Sequence, residues 1–248
     1  MNTLILALIA GAVIGLALGA LGGGGSVLAV PALIYLLDFS PASATTASLI
    51  IVTATSATAL YAHARDGHVA WKTGVLFAAA GILPAFLAGA AAGHLPAAAL
   101  TAAFAVVAAL AAVRMLRPAA AQLPERVSPL KAAGTGAGLG AVTGFLGVGG
   151  GFLAVPALVG VLGLRMKQAV GTSLLVITVN SLAALIARTG TSGGDLRWEV
   201  IAPFTGAAIL GAWDGKRLSA KITGRTLQRL FATVLLAVAG LMLADVVW

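Results

Sequence analysis

Apolar residues run almost unbroken through stretches of about 20 positions, and polar residues gather in the gaps between them. The pattern predicts five apolar segments in the first half, at roughly 4–21, 26–37, 43–62, 71–92 and 97–116. Five more follow at roughly 132–146, 151–163, 169–187, 199–213 and 226–247. Most are long enough for an α-helix to cross a hydrocarbon core of about 30 Å. The second of each set is not: at ~1.5 Å per residue it reaches only about halfway. The stretch between the sets, RPAAAQLPERVSPLK, is charged and contains proline. The expected organisation is a transmembrane repeat at 1–116, a link at 117–131 and a second transmembrane repeat at 132–248. Leu4–Leu21 lacks a basic leader and a small-residue cleavage site, so it reads as a retained helix.

The two sets are copies. Sliding the chain by 125 residues pairs Gly15–Leu33 with Gly140–Leu158, with 12 of 19 positions identical, and places LGGGGSVLAVPAL over LGVGGGFLAVPAL. The same offset pairs ATTASLIIVTATS (44–56) with AVGTSLLVITVNS (169–181), and at an offset of 127 Trp71 meets Trp198 and Phe104 meets Phe231. Repetition excludes a flexible tether as the meaning of GGGGS: it is one of two equivalent structural elements.

Composition supports insertion in a membrane. Of 248 residues, 60% are hydrophobic and only 9% charged, against about half and about a quarter in soluble domains. A net charge of +8 would suggest nucleic acid as partner of a soluble protein; in a membrane protein it marks cytoplasmic loops. With one crossing per segment and the link inside, 13 of the 15 Lys and Arg residues fall on the cytoplasmic side, leaving Arg188 and Arg197 outside with both termini. The loop GHLP (93–96) has no basic residue, whereas its counterpart at 214–225 is rich in them. Equivalent loops therefore lie on opposite faces, as in an inverted-topology repeat. The fold expected is an all-α polytopic membrane protein with two inverted repeats of about five segments. Each repeat carries a short Gly-initiated half-helix, either crossing or re-entrant.

Peptide groups in hydrocarbon must be paired unless they are buried in protein or line a wet cavity. The glycine runs at the starts of the short helices are therefore expected near the midplane, where inverted repeats bring substrate-binding elements together. Glycine permits close backbone approach, and amides at a helix start favour an anion. The candidate substrate-binding groups are Gly22, Gly23, Gly24, Gly25 and Ser26 in one repeat and Gly147, Gly149, Gly150 and Gly151 in the other. Thr45, Thr46 and Ser48, with Gly171, Thr172 and Ser173, are expected at the starts of the third segments, as helix caps or ligand contacts. Asn180, an amide in the middle of an expected span, either contacts substrate or bridges helices.

Other features read as structural. Gly11, Gly15 and Gly19, with Gly136, Gly140 and Gly144, form two GxxxGxxxG faces suited to close helix packing. Pro31 and Pro156 are expected near helix starts, where proline is inexpensive. Trp71 and Trp198 are expected interface anchors. His63, His68 and His94 are expected at solvated loop edges, with no metal site. The chain has no cysteine, which excludes disulfides and thiolate metal sites. GGGGS is not followed by Lys-Ser/Thr, which argues against a nucleotide, and no cofactor is expected. An enzyme is disfavoured: no paired intramembrane carboxylates, no HExxH and no facing Ser/His/Asp set are present.

The doubled LGxGGGxLxVPxL element and the GTSL of the second repeat resemble the TauE/SafE sulfite exporter family, over essentially the whole chain. The motif falls on Gly22, Gly24, Gly25 and Pro31, and on Gly147, Gly149, Gly150, Gly151 and Pro156. The first repeat departs from it at Gly23 and Ser26, and has TTASL in place of GTSL. The resemblance implies export of sulfite, sulfoacetate or related sulfur-containing or organic anions across a bacterial plasma membrane. An importer of sulfate- or thiosulfate-type anions uses the same parts, and a non-transporting scaffold would use the glycine faces alone. The expected partners are a small anionic substrate and membrane lipid, with no nucleic acid. The small-residue faces serve either intramolecular packing or a homodimer.

Overall fold

In a computed structural model of the chain, residues 2–92, 97–116, 128–145, 151–188 and 196–247 are described, and the regular structure among them is entirely helical. The first repeat contains α1 (Asn2–Leu21), α2 (Gly24–Tyr35), α3 (Pro41–Arg65), α4 (Trp71–Ala92) and α5 (Ala97–Leu116). The second contains α6 (Pro129–Phe145), α7 (Gly151–Gly160), α8 (Met166–Arg188), α9 (Trp198–Lys221) and α10 (Gly224–Val247). Among the described residues, four stretches are long and apolar enough to cross a membrane: Thr3–Leu21, Ser43–Arg65, Trp71–Ala88 and Met166–Ile186. The protein is a multi-pass, all-α membrane protein. Large apolar side chains such as Leu83, Phe86 and Leu87 stay exposed on α4, as a lipid-facing surface requires.

Helix starts explain two departures from the expected segments. Residues 129–131, assigned to the link, open α6, where Pro129 takes the first helical position, at which its missing N–H costs nothing. Residues 117–127 of the link lie outside the described residues. Pro31 is the eighth residue of α2 and Pro156 the sixth of α7. Both are past the first turn, so the expectation of an inexpensive position does not hold: the carbonyls of Val27 and Phe152 lose their i+4 amides. Each short helix closes on a left-handed residue, Asp38 (φ 53°) or Gly163 (φ 70°), which are repeat counterparts. The following amides bond back alike, Phe39 N–H to Leu33 O at 3.0 Å and Leu164 N–H to Leu158 O at 2.9 Å.

The halves interlock. α1 packs along α9 and α4 along α6, while α2 meets α7, α3 meets α8 and α5 meets α10. Along α1 and α9 the contacts climb together, Gly11 with Phe204, Gly15 with Ala208 and Gly19 with Ala212, so these helices run parallel. α4 and α6 are parallel by the same test, Phe77 with Gly136 and Gly81 with Gly140. A Cβ on Gly15 would lie 2.0 Å from the Ala208 carbonyl oxygen, and one on Gly140 would lie 2.2 Å from that of Gly81. Only glycine admits such backbone contact. The counterparts Phe77 and Phe204 are buried behind these seams. The side-chain surroundings of Gly144 lie outside the described residues.

Candidate functional site

Three consecutive residues of α8 tie separate parts of the molecule together. A Cβ on Gly171 would lie 2.3 Å from the carbonyl oxygen of His68, so the α3–α4 loop presses directly on the α8 backbone. Thr172, fully buried, accepts from the Ala70 N–H through its hydroxyl at 3.0 Å. Ala70 precedes α4, and its carbonyl takes the helix's first bond from Gly74 N–H. Ser173 Oγ stands 2.8 Å from both the Gly22 and Val170 carbonyls and donates to them. Gly22 itself has φ 74°, and a Cβ there would meet Ser173 Oγ at 2.6 Å and the Val170 Cα at 2.9 Å.

These positions are not helix starts. Thr45, Thr46 and Ser48 are the fifth, sixth and eighth residues of α3, and Gly171, Thr172 and Ser173 the sixth to eighth of α8. Only the first four amides of a helix lack an internal partner, so the backbone amides of these six residues fall past the free ones. The Ser48 hydroxyl bonds the Thr45 carbonyl at 3.0 Å, and Thr45 and Thr46 each have a partner.

Gly22 lies against Val170 and Ser173, about 6–10 Å along a helix about 34 Å long at ~1.5 Å per residue. That is nearer the start of α8 than its middle. α2 begins at Gly24 with Gly23 as an N-cap that has no side-chain bond. The side chain of Ser26 and residues Gly147, Gly149 and Gly150 lie outside the described residues. Gly151 opens α7 and is buried.

Beside this turn the basic residues of several elements meet. Lys216 Nζ pairs with Asp66 Oδ2 at 2.7 Å, and the ammonium holds the Asp66 carboxyl below the usual carboxylate range. Lys167 Nζ donates to the Ala220 carbonyl at 3.2 Å. His63, His68, Asp66, Lys167, Lys216 and Ser219 line a small open cavity whose wall includes Val170, the residue against Gly22. We call this the basic end. His63 corrects the sequence expectation of a solvated edge: it is 3% exposed, and its Nε2–H donates to the Gly19 carbonyl at 3.1 Å. Its burial follows from α1, which brings Gly19 up to the last turn of α3. His94 lies outside the described residues. Among the described residues no group of three or more His, Cys, Asp or Glu is placed to hold a metal ion. At the far end Arg197 donates to the Leu37 carbonyl and lies over the Phe39 ring at 4.2 Å.

The middle of the molecule carries, along with Asn180, polar residues that were not among the candidates: Thr53, Thr55, Ser56 and Thr178. α3 and α8 cross antiparallel: contacts run from Ser56 with Thr178 to His68 with Gly171. Thr178 Oγ1 donates to Ser56 Oγ across the seam at 2.9 Å. Within three residues of this bond along the two helices, Asn180 Oδ1 and the hydroxyl oxygens of Thr53 and Thr55 are buried with no hydrogen-bond partner. The signal was in the alignment of the halves. The 125-residue offset pairs Thr53 with Thr178, Thr55 with Asn180 and Ser56 with Ser181, all polar within apolar spans.

Comparison with known proteins adds three matches. The family described as "Sulfite exporter TauE/SafE" matches residues 7–242. A "Probable membrane transporter protein" of Xylella fastidiosa strain 9a5c is 34% identical, with 96% of this chain and 94% of the relative covered. Its counterpart in strain Temecula1 / ATCC 700964 is similar to the same degree and extent.

Proposed function

The chain belongs to the TauE/SafE sulfite exporter family and is a membrane transporter, and on that premise we propose that it carries small sulfur-containing or organic anions, sulfite or sulfoacetate in kind, out of a bacterial cell through its plasma membrane. The observation that carries this reading is the interlocking of the halves. α1 ends at the basic end, where Gly19 meets His63, whereas α6, its repeat counterpart, begins there beside the first turns of α4. Trp71 and Trp198, half exposed at the starts of α4 and α9, fall at opposite ends by the same logic. Oppositely inserted repeats that meet as α2·α7, α3·α8 and α5·α10 supply the two rocking bodies that alternating access needs.

With Lys and Arg concentrated at one end, the basic end is cytoplasmic. An anion leaving the cell first meets Lys167, Lys216 and the histidines, then the Gly22–Gly23 turn, whose backbone admits a ligand closely. No carboxylate occupies the central turns of α3 or α8, so a carboxylate proton relay has no residue to run through there. The membrane potential serves as driving force, at ~2.3 kcal/mol per charge per 100 mV.

The test is sulfite efflux from proteoliposomes under a potential set by potassium and valinomycin. Outward flux should rise as the interior becomes more negative. Wild-type protein that moves no small anion at any potential defeats the proposal. Flux that follows a proton or sodium gradient and ignores voltage defeats the coupling scheme alone.

A further inference from the structure

Near the end of α3, His63 is almost fully buried and uses only one of its two ring nitrogens. Nε2 stands 3.1 Å from the Gly19 carbonyl oxygen, which can only accept, so Nε2 carries a hydrogen. Nδ1 is shut from solvent and has no partner. Buried polar atoms are nearly always paired, so Nδ1 marks a place that a further group completes. With the hydrogen on Nε2, the neutral ring leaves Nδ1 an acceptor. The group that completes it must therefore bring a hydrogen.

Such a group has a place to sit. His63 lines the open cavity of the basic end together with Asp66, His68, Lys167, Lys216 and Ser219. These side chains arrive from α3, the α3–α4 loop, α8 and α9. The cavity holds about 10 Å³, enough for one oxygen-sized group. Because it is open, a larger ligand can place one oxygen inside and keep the rest in the mouth.

The charges of the lining do not cancel. Lys216 Nζ is paired with the Asp66 carboxylate at 2.7 Å, whereas Lys167 Nζ donates to a neutral group, the Ala220 carbonyl, at 3.2 Å. Two ammoniums against one carboxylate leave one positive charge, and both lysines keep hydrogens to donate. The other titratable group facing His63 is His68, whose ring lies 6.3 Å away. Arg65 lies instead over the Tyr61 ring at 5.9 Å, while α1 contributes the Gly19 carbonyl and α10 contributes Leu227. A water satisfies Nδ1 but leaves the charge unanswered. A fully ionised oxyanion answers the charge but sets another acceptor against Nδ1. An oxyanion with one charge and one hydroxyl does both.

We propose that the cavity at the basic end binds a singly charged hydrogen oxyanion, hydrogensulfite in kind, with its O–H donated to His63 Nδ1 and its other oxygens facing Lys167 and Lys216. The proposal rests on the transport reading and deepens it: at this entrance the anion binds together with one proton. The bound species keeps one negative charge, so the membrane potential still drives it outward.

The experiment titrates sulfite into purified full-length protein by calorimetry at alkaline pH, where free sulfite is mostly the dianion, in buffers of different ionisation heat. The expected result is one proton taken up per sulfite bound, with an affinity that falls about tenfold per further pH unit. Methanesulfonate, which has the charge but no hydroxyl, should bind at least tenfold more weakly than sulfite. His63→Leu should abolish that preference, and Lys167→Gln should weaken sulfite binding at least tenfold. Sulfite binding without proton uptake overturns the proposal, a result that needs no variant to fold. So does a folded His63→Leu protein that still prefers sulfite to methanesulfonate. Wild-type protein that neither binds nor moves any small anion defeats the transport reading itself. Wild type that moves sulfite yet takes up no proton on binding it defeats the cavity alone.

Discussion

The second turns of α3 and α8 are repeat counterparts that have taken different jobs. In α8 the sequence Gly171-Thr172-Ser173 holds the α3–α4 loop through His68 and Ala70 and holds the first glycine turn through Gly22. The corresponding residues of α3 are Thr46, Ala47 and Ser48. Ala47 has no hydroxyl to cap anything, and Ser48 bonds only its own helix at Thr45. The basic end is thus tied together by side chains of α8, whereas Ala47 cannot play the part of Thr172; the turn and loop that correspond to Gly22 and to residues 68–70 lie outside the described residues.

Exchanging residues between the counterparts tests this division. The largest effect is expected from Gly171→Thr, which puts a β-branched side chain where a Cβ alone would stand 2.3 Å from a backbone carbonyl. The loop must lift off α8, at about 3 kcal/mol or more, read as a marked drop in melting temperature and in folded yield. Thr46→Gly, the reverse exchange, should cost less, because it places no atom against a neighbouring backbone and changes helix propensity by only about 0.3 kcal/mol. Equal losses from the two would remove the asymmetry.

Next comes Thr172→Ala, which strands the Ala70 N–H. The expected loss is about 1–3 kcal/mol, with faster hydrogen exchange at Ala70 and in the first turn of α4. Ala47→Thr should give no matching gain. Smaller again is Ser173→Ala, at about 1 kcal/mol, against no measurable change for Ser48→Ala, whose hydroxyl serves its own helix.

Much of this was legible in the chain. Helices with uninterrupted apolar sequence have one reading in a bilayer, so the segments and the doubling emerged from hydropathy and from the 125-residue offset. The GxxxGxxxG glycines other than Gly144 lie on contact faces, as Gly15 against Ala208 and Gly140 against Gly81 illustrate. What escaped was everything set by partner choice. The glycine turn follows a 20-residue α1 and meets α8 near its start, a pairing that the shortness of α2 does not reveal. Thr172 and Ser173 looked like ligand donors because their partners, Ala70 and Gly22, lie 102 and 151 residues away. His63 looked solvated because sequence alone does not bring Gly19 beside it.

The smallest effect concerns the ion pair between Lys216 and Asp66, again confined to one end: the counterparts of these residues are Gly89 and Thr191. The Lys216 ammonium depresses the Asp66 carboxyl, so the folded state binds this proton more weakly than the unfolded chain does. The stabilisation is therefore complete above the unfolded carboxylate value of ~3.9 and disappears as pH falls through the lower folded value. Because Asp66 is 42% exposed, solvent and salt screen the pair, and it contributes at most about 1 kcal/mol. Asp66→Asn should lower the melting temperature slightly at pH 7 and low salt. That gap should close both in high salt and in acid, where the wild-type carboxyl takes up its proton. A gap that persists at low pH would assign the role of Asp66 to packing and not to charge, leaving the hydrogen bonds of His63, Thr172, Ser173 and Lys167 and the close fit at Gly171 to hold the basic end.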